Sequence, residues 1–195
     1  MIEHLTERFG NRKSEIGIAY FFFDYLDQKV QTAVGILGSL LGQLIRRLPT
    51  IPQDVKEVFQ WTRTESISLS DARRLFKKVA QLFTKTFICI GALDEGNPDQ
   101  RDKLLKCLSE AFQAPDARCH FLISGRPHMQ SVLEVDHNFV AMGTHLTLQI
   151  TASKEDITKY VLMYTNQDRK KYPTRMNDDL QDQILKAIVG SSQGM

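Results

Sequence analysis

The sequence has almost no excess of charge of either sign: 25 Lys and Arg stand against 23 Asp and Glu, a formal +2 over 195 residues. Neutralising a phosphate backbone takes a concentrated surplus of cations, so nucleic acid is excluded as the main partner. Long hydrophobic runs are also missing. The most apolar stretch, Ala33 to Leu48, includes Gly35, Ser39, Gly42, Gln43, Arg46 and Arg47, and is too short and too polar to cross a bilayer. At the N-terminus, Glu3, Glu7 and Arg8 fall where an export signal needs an apolar core. Cysteine is scarce. Cys89, Cys107 and Cys119 are odd in number and lie 18 and 12 residues apart, which suits neither a disulfide framework nor a CxxC metal site. They read as buried thiols of a reducing compartment, and the expected location is cytoplasmic. His4, His120, His128, His137 and His145 show neither HExxH nor HxxxH spacing, so the histidines carry no metal signature. Repeats, low-complexity tracts and obvious linkers are absent.

The residues that are present alternate between two periods. Ile2, Leu5 and Phe9 fall on one side of a helix, so the chain opens inside an element. Ile16 to Phe23 is a buried strand, with Phe21, Phe22 and Phe23 read as its core. Ala33, Leu37, Leu40, Leu44 and Leu48 line a core-facing helix, and Pro52 opens a short helix through Trp61. Ser70 caps a helix over Asp71 to Phe83, and Thr86 to Ile90 is the second strand. Asn97-Pro98 starts the next helix, and His120 to Ser124 and His145 to Ile150 make two further strands. Ser153 with Asp156 forms a capping box, and Asn177 precedes a last helix. Strands separated by helices predict a parallel sheet in an α/β fold.

In such a sheet ligands bind beyond the carboxyl ends of the strands. The first strand ends at Asp24, the second runs into Gly91-Ala-Leu-Asp94-Glu95, and the third into Ser124-Gly125-Arg126. Carboxylates suit Mg²⁺ or an attacking water, and arginine suits a phosphoryl group. The structural alternative is that Asp94 and Glu95 cap the following helix while Arg126 makes a surface salt bridge. Gly190-Ser-Ser-Gln-Gly194 matches GxSxG but follows a helical pattern, with no histidine after it, and reads as a loop. Arg169-Lys170-Lys171 reads as a solvated loop.

Phe87-Ile-Cys-Ile-Gly-Ala-Leu-Asp-Glu-Gly96 resembles the Walker B stretch of NACHT-type STAND P-loop ATPases, in particular the fungal group allied to the nephrocystin-3-like N-terminal module. Phe121-Leu-Ile-Ser-Gly-Arg-Pro-His128 resembles the sensor-1 strand of that family, and Ile18 to Leu48 its second strand and helix. Thr151 to Tyr160 and Met176 to Met195 are also similar to family segments. The resemblance implies a three-layer P-loop NTPase-like parallel sheet, helices on both faces, strand order 5-1-4-3-2. It implies a nucleotide-binding core over residues 1–152 and the start of a helical region over 153–195. Arg126 would meet the terminal phosphate, and Asp94 and Glu95 would polarise water or organise the site.

Two departures shape the expected function. The sequence contains no GxxxxGK[ST] and no Gly-Lys dipeptide, so the cradle, lysine and hydroxyl of the P-loop are missing. The expectation is a chain that begins after that motif, with strand 1 absent and its neighbouring edges unpaired, hence marginally stable or dependent on another chain. Secondly, Gly91 stands where the family has its Mg²⁺-associated aspartate. The intact family uses ATP and Mg²⁺; for this chain alone no cofactor and no metal are expected, and it is not expected to be an enzyme. The expected function is the scaffold of a nucleotide-dependent signalling switch. The alternatives are a nucleotide-independent module pairing with a second copy or a full-length relative, or a truncated product without function. Partners would be proteins, with no nucleic acid and no membrane.

Overall fold

The computed structural model describes residues 2–12, 14–53, 55–57, 67–112, 118–136, 146–172 and 175–191. The chain divides into two compact units, Met1–His145 and Leu146–Met195. In the first, α1 (Ile2–Phe9) leads into β1 (Ile16–Phe22), α2 (Ala33–Ile45), α3 (Leu69–Ala80), β2 (Lys85–Gly91), α4 (Pro98–Ala111) and β3 (Cys119–Ile123). The strands form a parallel sheet in the order β1-β2-β3, with Ile16 opposite Lys85 and Thr86 opposite Cys119. The fold is α/β, its three-stranded sheet flanked by helices.

Because side chains alternate along a strand, the two faces have different tasks. Ala19, Ile88 and Ile90 face the main core, closed by Ile36, Leu37, Leu40 and Leu44 of α2, Leu75, Phe76 and Val79 of α3, and Leu104, Leu105 and Leu108 of α4. Phe112 bridges this layer to the sheet edge-on, 5.9 Å from Phe76 and 5.6 Å from Phe121 between ring centroids. The opposite face carries Phe87, and there Phe9 of α1 stacks on the Phe87 ring at 5.7 Å. Each fully buried Leu or Phe contributes about 1.5–3 kcal/mol, so the first unit is held mainly by the layer of α2, α3 and α4.

The outer edge of β1 is covered by one side chain of α2 and one just beyond its end. Gln43 accepts from the Tyr20 N–H at 3.0 Å and donates to the Tyr20 carbonyl at 2.8 Å, and Arg47 Nε donates to the Ile16 carbonyl at 2.9 Å. The carboxamide of Gln43 thus occupies the groups a further strand would use.

Several helix starts follow their side-chain chemistry. Asn97 accepts from the Gln100 N–H at 3.2 Å ahead of Pro98, as expected. For α3 the cap is Ser68, two residues before the predicted Ser70: Ser68 Oγ accepts from the Asp71 N–H at 3.1 Å and donates to the Asp71 carboxylate at 2.6 Å. The reciprocal Ser68–Asp71 box wins because Ser70 has no such partner in the first turn. The same helix closes at Ala80 instead of Phe83, since the Thr86 hydroxyl takes the Ala80 carbonyl at 2.9 Å. Of the short helix predicted from Pro52 to Trp61, residues 53 and 55–57 are helical, and residues 54 and 58–61 lie outside the described residues.

In the second unit the strand predicted over His145–Ile150 is not formed among the described residues: 146–150 have no ladder, and Leu146, Leu148 and Ile150 are exposed; His145 itself lies outside them. Alternation of apolar residues supplies strand propensity, but without a partner the backbone groups gain no ladder. The capping box at Ser153 does form, its Oγ accepting from the Asp156 N–H at 3.1 Å, and opens α5 (Lys154–Lys171). Asn177 accepts from the Leu180 N–H at 2.8 Å to start α6 (Asp178–Ser191). The seam between α5 and α6 is polar: Gln181 donates to Thr165 Oγ1 at 2.7 Å and to Asn166 at 3.0 Å. Arg169, Lys170 and Lys171, read as a loop, instead end α5, where cations complement the helix dipole, and Arg169 pairs with Asp178. Gly190 and Ser191 of the GxSxG match likewise belong to the last turn of α6. Among the described residues no helix is long and apolar enough to cross a membrane.

Candidate functional site

Beyond the C-terminal end of β2 the chain turns through Ala92, whose φ of 51° and ψ of 46° are left-handed, the one non-glycine positive φ among the described residues. An alanine there costs roughly 1–2 kcal/mol. The surroundings fix it: buried Leu93 donates its N–H to the Ser124 carbonyl at 2.9 Å, and the Glu95 N–H closes a 3₁₀ turn onto the Ala92 carbonyl at 2.9 Å. The turn aims Asp94 at the loop after β3.

There both carboxylate oxygens of Asp94 are engaged. One carboxylate oxygen accepts from the Arg126 backbone N–H at 3.1 Å and the other lies 3.2 Å from Arg126 Nε. The Asp94 side chain is 11% exposed and that of Arg126 75%, so a sheltered acid holds a cation whose head faces water. Glu95 goes the other way: its carboxylate accepts weakly from the Tyr25 N–H at 3.4 Å, and its carbonyl accepts from Gln28 at 2.7 Å. Asp24 caps its own turn, accepting from the Leu26 N–H at 2.9 Å. The structure therefore brings Asp94 and Arg126 together and sends Glu95 toward the β1–α2 connection. Neither acid caps α4, a role taken by Asn97, whereas the expected salt bridge of Arg126 is made with Asp94 itself.

Gly91, where the resemblance implies a metal carboxylate, lies under an aromatic ring. A Cβ built on it would fall against Cδ1 and Cε1 of Phe22, closer than real Cβ contacts occur. The residues at this position do not fit a metal-bound triphosphate, and among the described residues no three His, Cys, Asp or Glu side chains converge. Phe22 is itself a correction: it is 57% exposed on the face opposite the core, while Phe23 is buried. Sequence reasoning missed this contact, because a glycine opposite an aromatic across a parallel ladder leaves no local pattern. It also missed Gln28 and Gln100, which satisfy the Glu95 carbonyl and the Ala33 N–H at the start of α2.

No curated protein and no solved structure gives a significant match to this chain. Residues 1–126 do match a family model, described as nephrocystin 3, N-terminal, and the matched span ends on Arg126 after taking in all three strands. This chain therefore belongs to the nephrocystin 3 N-terminal family.

Proposed function

We propose that the chain is the scaffold of a nucleotide-dependent signalling switch of the NACHT/STAND type that does not hydrolyse ATP by itself. The observation carrying this reading is the Asp94–Arg126 pair across the C-terminal ends of adjacent parallel strands, the end of the sheet at which α/β folds receive ligands. In this reading Arg126 would offer its exposed guanidinium to an anionic oxygen, with Asp94 holding the backbone beneath it. The hydrolytic parts are lacking, since the sequence has no Gly-Lys-Ser or Gly-Lys-Thr and Gly91 supplies no side-chain oxygen. Removing even one preorganised group costs orders of magnitude in rate. An ATP titration without metal tests Arg126 as the phosphate contact. The expected result is weak, salt-sensitive binding that Arg126→Ala abolishes; binding indifferent to that substitution would contradict the proposal.

A second reading, a nucleotide-independent interaction module, is favoured by the exposed apolar side chains Tyr20, Phe22 and Leu122 on one sheet face. Co-expression with an intact relative would then yield a defined complex; failure to associate would refute it.

A further inference from the structure

Phe22, the last residue of β1, and Phe23, which follows it, each cover a glycine, one at either end of the loop bearing Asp94 and Glu95. Phe22 is the direct cross-strand partner of Gly91. Phe23, on the other face, lies so close to Gly96 that a Cβ there would stand 2.6 Å from its Cδ1 and 2.7 Å from its Cε1. Between these points the backbone is held by the Phe23 N–H donating to the Gly91 carbonyl at 3.0 Å and by the left-handed turn at Ala92. Aromatic rings laid over strand glycines are a known way to recover the packing that a missing side chain forfeits. The consequence for position 91 is spatial. A carboxylate projecting from this residue would need a Cβ, a carboxyl carbon and two oxygens, beginning in the volume the Phe22 ring fills.

We infer that Phe22 and Gly91 form a steric interlock that closes this strand end to a divalent cation, so the site excludes the metal by packing as well as by lacking a side-chain carboxylate. The inference shares with the proposed function only the placing of a metal carboxylate at Gly91. The ring-over-glycine contact stands whether or not Arg126 meets a phosphate, because its test reads thermal coupling and metal binding and no nucleotide is added.

The test uses the full chain with Gly91→Ala, Gly91→Asp and Phe22→Ala, each glycine substitution made also in the Phe22→Ala background. With Phe22 present, Gly91→Ala overpacks the contact and lowers Tm by about 3–10 °C. With Phe22 truncated, the same substitution lowers Tm by less than about 2 °C, a non-additive pair of the kind direct contacts give. Titration of Gly91→Asp with MnCl₂, following free Mn²⁺ by electron paramagnetic resonance, shows no saturable binding. An equal Gly91→Ala penalty in both backgrounds, or saturable Mn²⁺ binding by Gly91→Asp with Phe22 intact, overturns the inference. Should Gly91→Asp fail to fold, the alanine pair still decides whether the Phe22 ring and a side chain at 91 compete for one volume, the packing on which the inference rests.

Discussion

Asp94 and Arg126 form an ion pair whose two members have unequal structural weight. Asp94 is sheltered and satisfies a backbone N–H as well as a guanidinium, while Arg126 projects into water. Asp94→Ala therefore strips a charge-assisted acceptor from the Arg126 N–H and costs about 1–3 kcal/mol, whereas Arg126→Ala removes a solvent-screened partner and costs under about 1 kcal/mol. Urea unfolding of both variants checks the order; a larger loss for Arg126→Ala would contradict it. His120 offers a pH test. Its ring stacks on Phe87 at 5.1 Å, and desolvation, followed by the charge of Lys85, pushes its pKa below the ordinary value. A histidine with a lowered folded pKa stays neutral in the fold while the unfolded chain takes up a proton, so its stabilising contribution is present above about pH 6.5 and is lost as pH falls below that. The effect is small, since one side of the ring meets solvent. His120→Phe keeps the stack and should flatten stability between pH 7 and pH 5; an unchanged pH profile would rule the residue out. At this scale the acid and the arginine were legible, because strand ends point to them. The outward turn of Phe22 follows from the alternation of faces along a strand, by which three phenylalanines in a row cannot share one core; the glycine its ring covers across the ladder leaves no such pattern.

The edge of β1 is covered by Gln43 of α2 and by Arg47 just beyond that helix, a device that belongs to the helix, its end and the strand jointly. Gln43→Ala frees both polar groups of Tyr20 at once. The expected result is a loss of about 1–2 kcal/mol in thermal unfolding, together with self-association visible in light scattering, as an uncovered strand edge recruits another chain. Unaltered stability and a monomeric profile would show that the edge needs no cover. Elements with strong periodicity were read correctly to within a residue or two, as α1, β1, β2, α4 and β3 show. Errors fell where a tertiary partner decides the outcome. Ser68 displaced Ser70 because its box closes onto Asp71, α3 stopped where Thr86 reached the Ala80 carbonyl, and 146–150 carry strand alternation without a ladder among the described residues.

Taken whole, the chain concentrates its apolar burial in Met1–His145, while α5 and α6 meet across the polar seam of Gln181, Thr165 and Asn166. The family match covers the sheet and ends at the arginine of the strand-end pair, so the part of the molecule with recognisable kinship is also the part that carries the candidate site. That site has its acid turned inward onto its own arginine and a phenylalanine ring over the position of the implied metal ligand. The most direct measurement is a titration of the intact chain with labelled ATP, in the presence and absence of Mg²⁺. The predicted result is weak binding that Mg²⁺ does not strengthen and no release of phosphate. Tight binding that requires Mg²⁺, by this chain alone, would contradict it.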